Sequence, residues 1–173
     1  KLTLGPNSEL VITKISDPNK PGLIDLLKGQ LRSQVKPDKK RKGNKLLIRT
    51  KTAAIGVRGT TTMMTFNPKQ KSFTTGGLEG KVIVIPLKEK DLTASVDKIN
   101  LAISPKNPDA YNLEAGHFSS IKSSTAGKIE ISVPVKMSTV QVAALLKSSI
   151  PVFNKKSDQQ KSKKLPKRST ALP

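Results

Sequence analysis

The sequence lacks the residue types on which most catalytic and metal sites depend. Among 173 residues there is no cysteine and only one histidine, His117. Disulfides, thiolate metal sites and cysteine nucleophiles are therefore excluded, and a histidine metal cluster or a Ser-His-Asp triad is disfavoured. The acids are scattered: Asp25 or Glu114 could face another carboxylate in space, but no spacing pairs them as general acid and base. This inventory predicts no enzyme activity, no cofactor and no metal site.

Long apolar runs are also missing. The stretch 82–85 is the length of a strand, and no apolar run approaches the ~18 residues that a membrane helix requires. The chain opens on Lys1 rather than methionine, in what reads as the end of a strand, so we expect a processed or excised piece. The absence of a signal peptide then says nothing about the compartment.

Negative charge is scarce, and the excess of positive charge is concentrated in two segments. Lysine and arginine number 32 against 12 acids, a formal net charge of +20. Residues 36–45 hold six basic residues and one acid, and residues 154–173 hold seven basic residues and one acid. The second segment has almost no large apolar residues, so we predict a disordered basic tail at 154–173 after a domain at 1–153.

Most of the domain has the pattern of short strands separated by turns. Segments 10–13, 44–52, 57–66 and 72–79 are rich in β-branched or other apolar residues, and residues 82–85 read as a strand buried on both faces. In segment 23–35, Leu23, Leu27, Leu31 and Val35 would share one face, with Gly29 as a bulge or bend. The predicted fold is mainly β: an antiparallel β-sandwich or jelly-roll-like stack with one short C-terminal helix.

The end of the domain has the clearest alternation in the chain. Apolar residues at 129, 131, 133, 135 and 137 predict a strand with one core face, and Pro134 predicts that it lies at a sheet edge. Ser138 and Gln141 then have the spacing of a capping box, which predicts a helix over residues 139–148. Residues 88–110 fit either a strand or a helix.

The segment from Ile48 to Thr60 reads IRTKTAAIGVRGT and is the most informative in the chain. It predicts a strand that turns through the small residues Ala53, Ala54 and Gly56 into another strand. The planar guanidinium of Arg58, between Gly56 and Gly59, would tie carboxylate or carbonyl groups across this corner. A phosphate-binding loop is not indicated, because neither GxGxxG nor GxxxxGK[ST] occurs.

This segment resembles the core motif of the FecR domain, a bacterial periplasmic domain named after a regulator of iron uptake. The motif residues are Gly56, Val57, Arg58, Gly59 and Thr60, and the return strand LEGKVIV at 78–84 carries the matching Gly80. Upstream, LGPNSEL at 4–10 resembles the family's turn and LKGQLR at 27–32 its next strand. Downstream, LEAGHF at 113–118 resembles a frequent closing strand.

The resemblance implies a FecR-like β domain over residues 1–153, with 88–153 as a less closely matched extension. The family's opening strands, which normally precede the Gly5-Pro6 turn, are missing from this sequence. Because the anti-sigma members carry a cytoplasmic helical region and a membrane helix that this chain lacks, a free-standing interaction module of the cell envelope fits better than direct sigma control.

The basic segment 36–45, here called the basic loop, is the best candidate functional surface, although an inert solvated loop would have the same composition. Such a cluster attracts polyanions in a salt-dependent manner. The five aromatic residues are not interleaved with it, which disfavours a nucleic-acid reader. The candidate anion-binding residues are Lys36, Lys39, Lys40, Arg41, Lys42 and Lys45.

Two functions therefore stay open. The resemblance implies a non-enzymatic, periplasmic domain that acts in cell-envelope signalling or as a protein-interaction module, with a protein partner in the envelope. The alternative is a polyanion-binding protein, for nucleic acid or an anionic envelope polymer, that works through the basic loop and the tail.

Overall fold

The computed structural model describes residues 1–38, 40, 43–88, 91–124 and 128–147. Three of the predicted anion-binding residues, Lys39, Arg41 and Lys42, lie outside the described residues, as does the predicted tail at 154–173. Within the described ranges the chain forms twelve strands and two helices: β1 Leu2–Leu4, β2 Glu9–Lys14, β3 Gly22–Gln34, β4 Leu46–Arg49, β5 Ala53–Val57, β6 Thr61–Asn67, β7 Ser72–Glu79, β8 Val82–Pro86, α1 Val96–Ala102, β9 Tyr111–Leu113, β10 His117–Ser123, β11 Ile129–Ile131, β12 Val135–Lys136 and α2 Thr139–Lys147.

The strands form one curled sheet around the long strand β3. Its order is β11-β10-β7-β6-β3-β4-β5-β8-β9, while β1 and β2 pair with β3 and β12 pairs with β10. The first half of β3 pairs with β2 and β4, and its second half pairs with β1 and β6. The mainly β fold is thus confirmed. One pairing, β3 with β4, is parallel and departs from the otherwise antiparallel pattern.

The bend predicted at Gly29 is the point where β3 passes from one half of the sheet to the other. Gly29 has a φ of 86°, a left-handed conformation that glycine adopts without steric cost. A β-carbon there would lie 2.2 Å from Ser8 Oγ, which accepts a 2.8 Å hydrogen bond from the Gln30 amide. The turn after β1 therefore packs directly into the bend.

The two halves of the curl enclose the main core. A second apolar cluster lies between β4, β5 and β8 and the helix α1, so this half of the sheet is buried on both faces. Val82 and Val84 are fully buried on the inner side and Ile85 on the outer side, which explains the continuous apolar run of β8. The largest inner-core side chains are Ile24, Leu26, Leu31, Ile48, Ile55, Met64, Phe66, Phe73, Leu113 and Ile121.

A hydrogen bond between side chains joins β9 to β10, near the opposite ends of the strand order. The Tyr111 hydroxyl lies 2.9 Å from Ser119 Oγ, which donates to the carbonyl of Ser132. Burial raises the pKa of Tyr111 above its ordinary 10.0 because the phenolate would be desolvated, and the Ser119 contact lowers it by less. Tyr111 therefore stays neutral at physiological pH and links the ends of the curl.

Both helices begin at side-chain caps. For α2 the predicted capping box is confirmed: the Ser138 amide donates to Gln141 Oε1 at 2.8 Å, and the Gln141 amide donates to Ser138 Oγ at 3.2 Å. For α1, Ser95 Oγ accepts from the Lys98 amide. The structure thus resolves the ambiguous segment 88–110 in favour of a helix over 96–102.

One expectation about side-chain faces was wrong, and another holds in part. Leu23 packs against α1 while Leu31 lies in the inner core and Leu27 is exposed, because the bend in β3 breaks the alternation.

The last alternating segment does lie at the sheet edge, where β11 and β12 each pair with β10. Its core face is formed at the two ends, where Ile129 packs against the main core and Met137 is buried. Between them Val133 is 80% exposed and Val135 50%.

We predict that three glycine-to-alanine changes separate the two constraints at the β3 bend. Gly29→Ala should lower the free energy of unfolding by about 2–4 kcal/mol, because it combines a left-handed φ with a collision against Ser8. Gly116→Ala has the left-handed φ of 77° but open space around it, so about 1–2 kcal/mol is expected.

Gly43→Ala, with neither constraint, should change stability by less than about 0.5 kcal/mol. Denaturant titration of the three variants measures these differences. Equal losses for Gly29→Ala and Gly116→Ala would mean that the Ser8 contact does not constrain the bend.

Candidate functional site

The two ends of the basic loop are both attached to residues 57–60, here called the corner. The Val35 amide donates to the Thr60 carbonyl at 2.9 Å, and the Lys45 amide donates to the Val57 carbonyl at 3.1 Å. The corner therefore holds both ends of the basic loop, one just after β3 and the other just before β4. Since both clamps are backbone hydrogen bonds, the loop's ends are held regardless of its side chains.

The motif glycines lie where neighbouring segments approach the backbone closely. Gly59 has a φ of 61°, and a β-carbon there would be 2.9 Å from Pro37 Cα in the basic loop. Gly80 has a φ of 74° and lies against Thr60 in the same way. At Gly56 a β-carbon would meet Asn44 Oδ1 at 2.5 Å and Ile103 Cγ2 at 2.6 Å. These glycines therefore bring the loop, the return strand and the end of α1 against the corner.

The small residues before the corner lie in a different place from the one predicted. Ala53, Ala54 and Gly56 lie within β5, every residue of which is buried, and the chain turns at Thr50–Thr52 and again at residues 58–60 instead. Thr50 Oγ1 accepts from the amides of Thr52 and Ala53, which completes the first turn. Small side chains are needed in β5 because sheet and helix pack on its two faces.

Arg58, which was predicted to tie carboxylate or carbonyl groups across the corner, is exposed on the wall of a groove. A largely buried tie is made by Arg49. Its Nε lies 2.5 Å from Asp25 Oδ1 and its Nη2 3.1 Å from Asp25 Oδ2, while Nη1 donates to the Leu92 carbonyl at 2.7 Å. Both partners of the ion pair are more than four-fifths buried. Arg49 thus joins β3, β4 and the segment before α1.

Sequence reasoning missed the Asp25–Arg49 pair because the two residues are 24 positions apart and meet only through the parallel register of β3 and β4. Asp25 lies directly opposite Arg49 in that register. Asp25 also accepts a hydrogen bond from Thr13 Oγ1 on β2. The only available signal was that each charge interrupts an otherwise apolar strand, a position at which a charge usually has a partner.

The groove lies between α1 and the strands β5, β8 and β9, beside the anchored ends of the basic loop. It has a volume of about 900 Å³. Two cations, one carboxylate, three asparagines and several apolar side chains line it: Gly43, Asn44, Gly56, Arg58, Lys81, Ile83, Asp97, Asn100, Leu101, Ile103, Ser104, Pro105 and Asn112. The groove therefore offers hydrogen-bonding, cationic and apolar surface together.

The lysines of the basic loop that the structure describes differ in solvent exposure. Lys36 and Lys40 are exposed, and Lys45 is half-buried at the start of β4. Lys81, on the groove wall, lies 3.0 Å from Glu114, and Asp97 on the opposite wall lies 3.4 Å from Lys20. These surface ion pairs are weak and screened by salt, so they can be exchanged for contacts with a ligand.

Both acids that were considered as members of a carboxylate pair have a cationic partner. Asp25 pairs with Arg49, and Glu114 pairs with Lys81. His117, in β10, has Nδ1 within 3.2 Å of the Ala115 carbonyl. Among the residues that the structure describes, no three acidic or histidine side chains converge as metal ligands.

In the same described ranges, neither helix has the length and apolar character needed to cross a membrane.

A model of a known protein family matches the first part of the chain. Residues 1–83, which contain β1 to β7 and the start of β8, match the family model FecR, described as FecR protein. No curated protein sequence matches the chain. The resemblance to the FecR family is therefore confirmed over these residues.

Two solved structures are similar to this chain. Both are crystal structures of a protein from Parabacteroides distasonis ATCC 8503 that is provisionally assigned as an anti-sigma factor. One is 17% identical with a TM-score of 0.51, and the other is 16% identical with a TM-score of 0.47. Each match covers 84% of this chain but 59% of that protein. At 17% sequence identity and a TM-score of 0.51, the similarity to the first of these structures concerns the fold alone.

We predict that the two arginines differ sharply in their contribution to stability. Arg49→Ala should lower the free energy of unfolding by about 2–4 kcal/mol, because it leaves the largely buried carboxylate of Asp25 without its cation. Arg58→Ala, at an exposed position, should cost less than about 1 kcal/mol. Thermal and denaturant unfolding of both variants measures the difference. A larger loss at Arg58 would restore it to the structural role predicted from the sequence.

Proposed function

Because residues 1–83 match the FecR family model, we propose that the chain is a non-enzymatic, periplasmic protein-interaction domain of bacterial cell-envelope signalling. The family match over the strands that contain the corner carries this proposal. The relation in fold to a protein provisionally assigned as an anti-sigma factor agrees with a regulatory role. The partner would be a protein of the cell envelope.

The interaction domain, in this proposal, extends beyond the family match to residue 153. Three contacts support one unit: β9 pairs with β8, β10 pairs with β7, and Ile99 and Ile103 of α1 pack against Leu47 and Ile85. Residues after β8 thus complete the sheet and cover its outer face. The motif residues at 56–60 and Gly80 would act structurally by holding this unit and the basic loop together.

The proposal is tested in the source bacterium with the complete gene. An epitope-tagged protein is localised by spheroplast fractionation, and transcript levels are compared between the parent strain and one whose gene lacks the codons for residues 1–153. We expect the tag in the envelope fraction and altered transcription of a limited gene set. A tag found only with cytoplasmic markers, or unchanged transcripts under envelope stress, would overturn the proposal.

A second candidate function is polyanion binding through the basic loop and the tail. The clamped ends of the loop favour it, because Val57 and Thr60 hold both ends against the domain and Lys36 and Lys40 are exposed there. Cations on a loop that is held at both ends would bind phosphate or sulfate polymers with little sequence preference. The ligand would be nucleic acid or an anionic envelope polymer.

For this second function we predict a steep salt dependence. Changing Lys39, Lys40, Arg41 and Lys42 to serine in a chain that ends at residue 153 should remove most of the affinity for heparin at low salt, and should flatten the slope of affinity against salt. The matched control changes Lys69, Lys122, Lys128 and Lys136, which are exposed elsewhere, to serine. Equal losses in the two variants would show that net charge alone, and not the loop, drives binding.

A further inference from the structure

The groove beside α1 is chemically different from the basic loop that borders it. Asn44, Asn100 and Asn112 reach it from the start of β4, from the helix and from β9. Asn44 Nδ2 donates to Asn100 Oδ1 at 3.1 Å, which holds two of the three amides side by side. An asparagine side chain both donates and accepts hydrogen bonds, as a peptide group does. Such amides can pair with the backbone of an extended chain.

The groove also offers apolar contact. Leu101 is 78% exposed on its helix wall, and Ile83 and Ile103 line it as well. A polyphosphate or polysulfate chain cannot use these side chains. None of the described lining residues is aromatic, so nucleobases would have no stacking platform. A peptide that carries apolar side chains fits this wall better than a nucleic acid does.

Charge favours an acidic peptide. Arg58 is exposed, and its planar guanidinium can bind a carboxylate through two parallel hydrogen bonds. Lys81 is 70% exposed, and its surface pairing with Glu114 can be exchanged for a ligand carboxylate at little cost. The basic loop reaches the groove through Gly43 and Asn44, and its exposed Lys36 and Lys40 add to the positive potential of this side of the domain. Only one carboxylate, Asp97, lines the groove.

The size is also appropriate. A volume of about 900 Å³ lies near the upper end of typical ligand sites, and the groove is partly open to solvent. A short extended segment fits such an open groove, whereas a small molecule is usually enclosed by its site.

From these observations we infer that the groove binds an extended acidic segment of the partner protein, with alternating acidic and apolar side chains. Arg58 and Lys81 bind its carboxylates, the three asparagines pair with its backbone, and Leu101 contacts an apolar side chain. This inference rests on the proposed interaction role and names the surface and the partner chemistry that the role would use. In this arrangement, the guanidinium of Arg58 binds a carboxylate of the partner segment.

The test uses the complete 173-residue chain and a fluorescent peptide with blocked termini that repeats Glu-Val-Ser. The neutral Gln-Val-Ser peptide and a heparin fragment serve as comparison ligands. Fluorescence anisotropy should detect the acidic peptide and should give about tenfold weaker or no binding for the neutral one. Failure of the acidic peptide to bind overturns the inference.

Substitutions in the groove then test whether the acidic peptide binds there. Arg58→Glu should weaken the acidic peptide by about tenfold or more. The control Lys122→Glu makes the same charge change at an exposed site in β10 and should have little effect. Asn112→Ala and Leu101→Ser change exposed residues, so both should fold; they should weaken the peptide severalfold and leave heparin unchanged.

If Asn112→Ala and Leu101→Ser leave peptide binding intact, the segment binds elsewhere and the inference fails. If they weaken heparin as much as the peptide, the groove is a general anion site and the inference also fails. Both outcomes can be told apart from a failure of the proposed signalling role, because the fractionation and transcript experiment tests that role independently. Altered transcripts without peptide binding would disprove the groove while leaving the signalling role in place.

Discussion

The long strand β3 is the element on which the rest of the structure depends. It pairs with β2 and β4 along its first half and with β1 and β6 along its second half, so both halves of the curled sheet share one backbone. The curl requires β3 to bend, and the left-handed backbone at Gly29 supplies the bend. Without it the two halves could not face each other across the core that holds Phe66 and Phe73.

The bend has a direct consequence for the surface. Because β3 leads into the basic loop and β4 runs parallel to its first half, the loop must cross from the end of β3 back to β4. The corner at 57–60 lies under this crossing and binds both of its ends. A segment that looks like a simple turn thus holds both ends of the loop through backbone hydrogen bonds.

Arg49 and Arg58 differ in burial for a reason that the motif does not encode. The motif glycines lie at close backbone approaches. The motif did not indicate which arginine is largely buried, because burial depends on what packs over each strand. Arg49 lies under the segment before α1, with Asp25 opposite it in the parallel register, whereas Arg58 faces the open groove.

The sequence by itself determined the features that depend on neighbours along the chain. These are the mainly β pattern, the capping box of Ser138 and Gln141, the bend at Gly29 and the doubly buried strand β8. Tertiary structure alone decided the parallel pairing of β3 and β4, the Asp25–Arg49 ion pair, the exposure of Val133 and the groove beside α1. Local patterns reflect backbone preference and periodicity, but a register between distant strands and the packing of a helix on a sheet are chosen by the energy of the whole core.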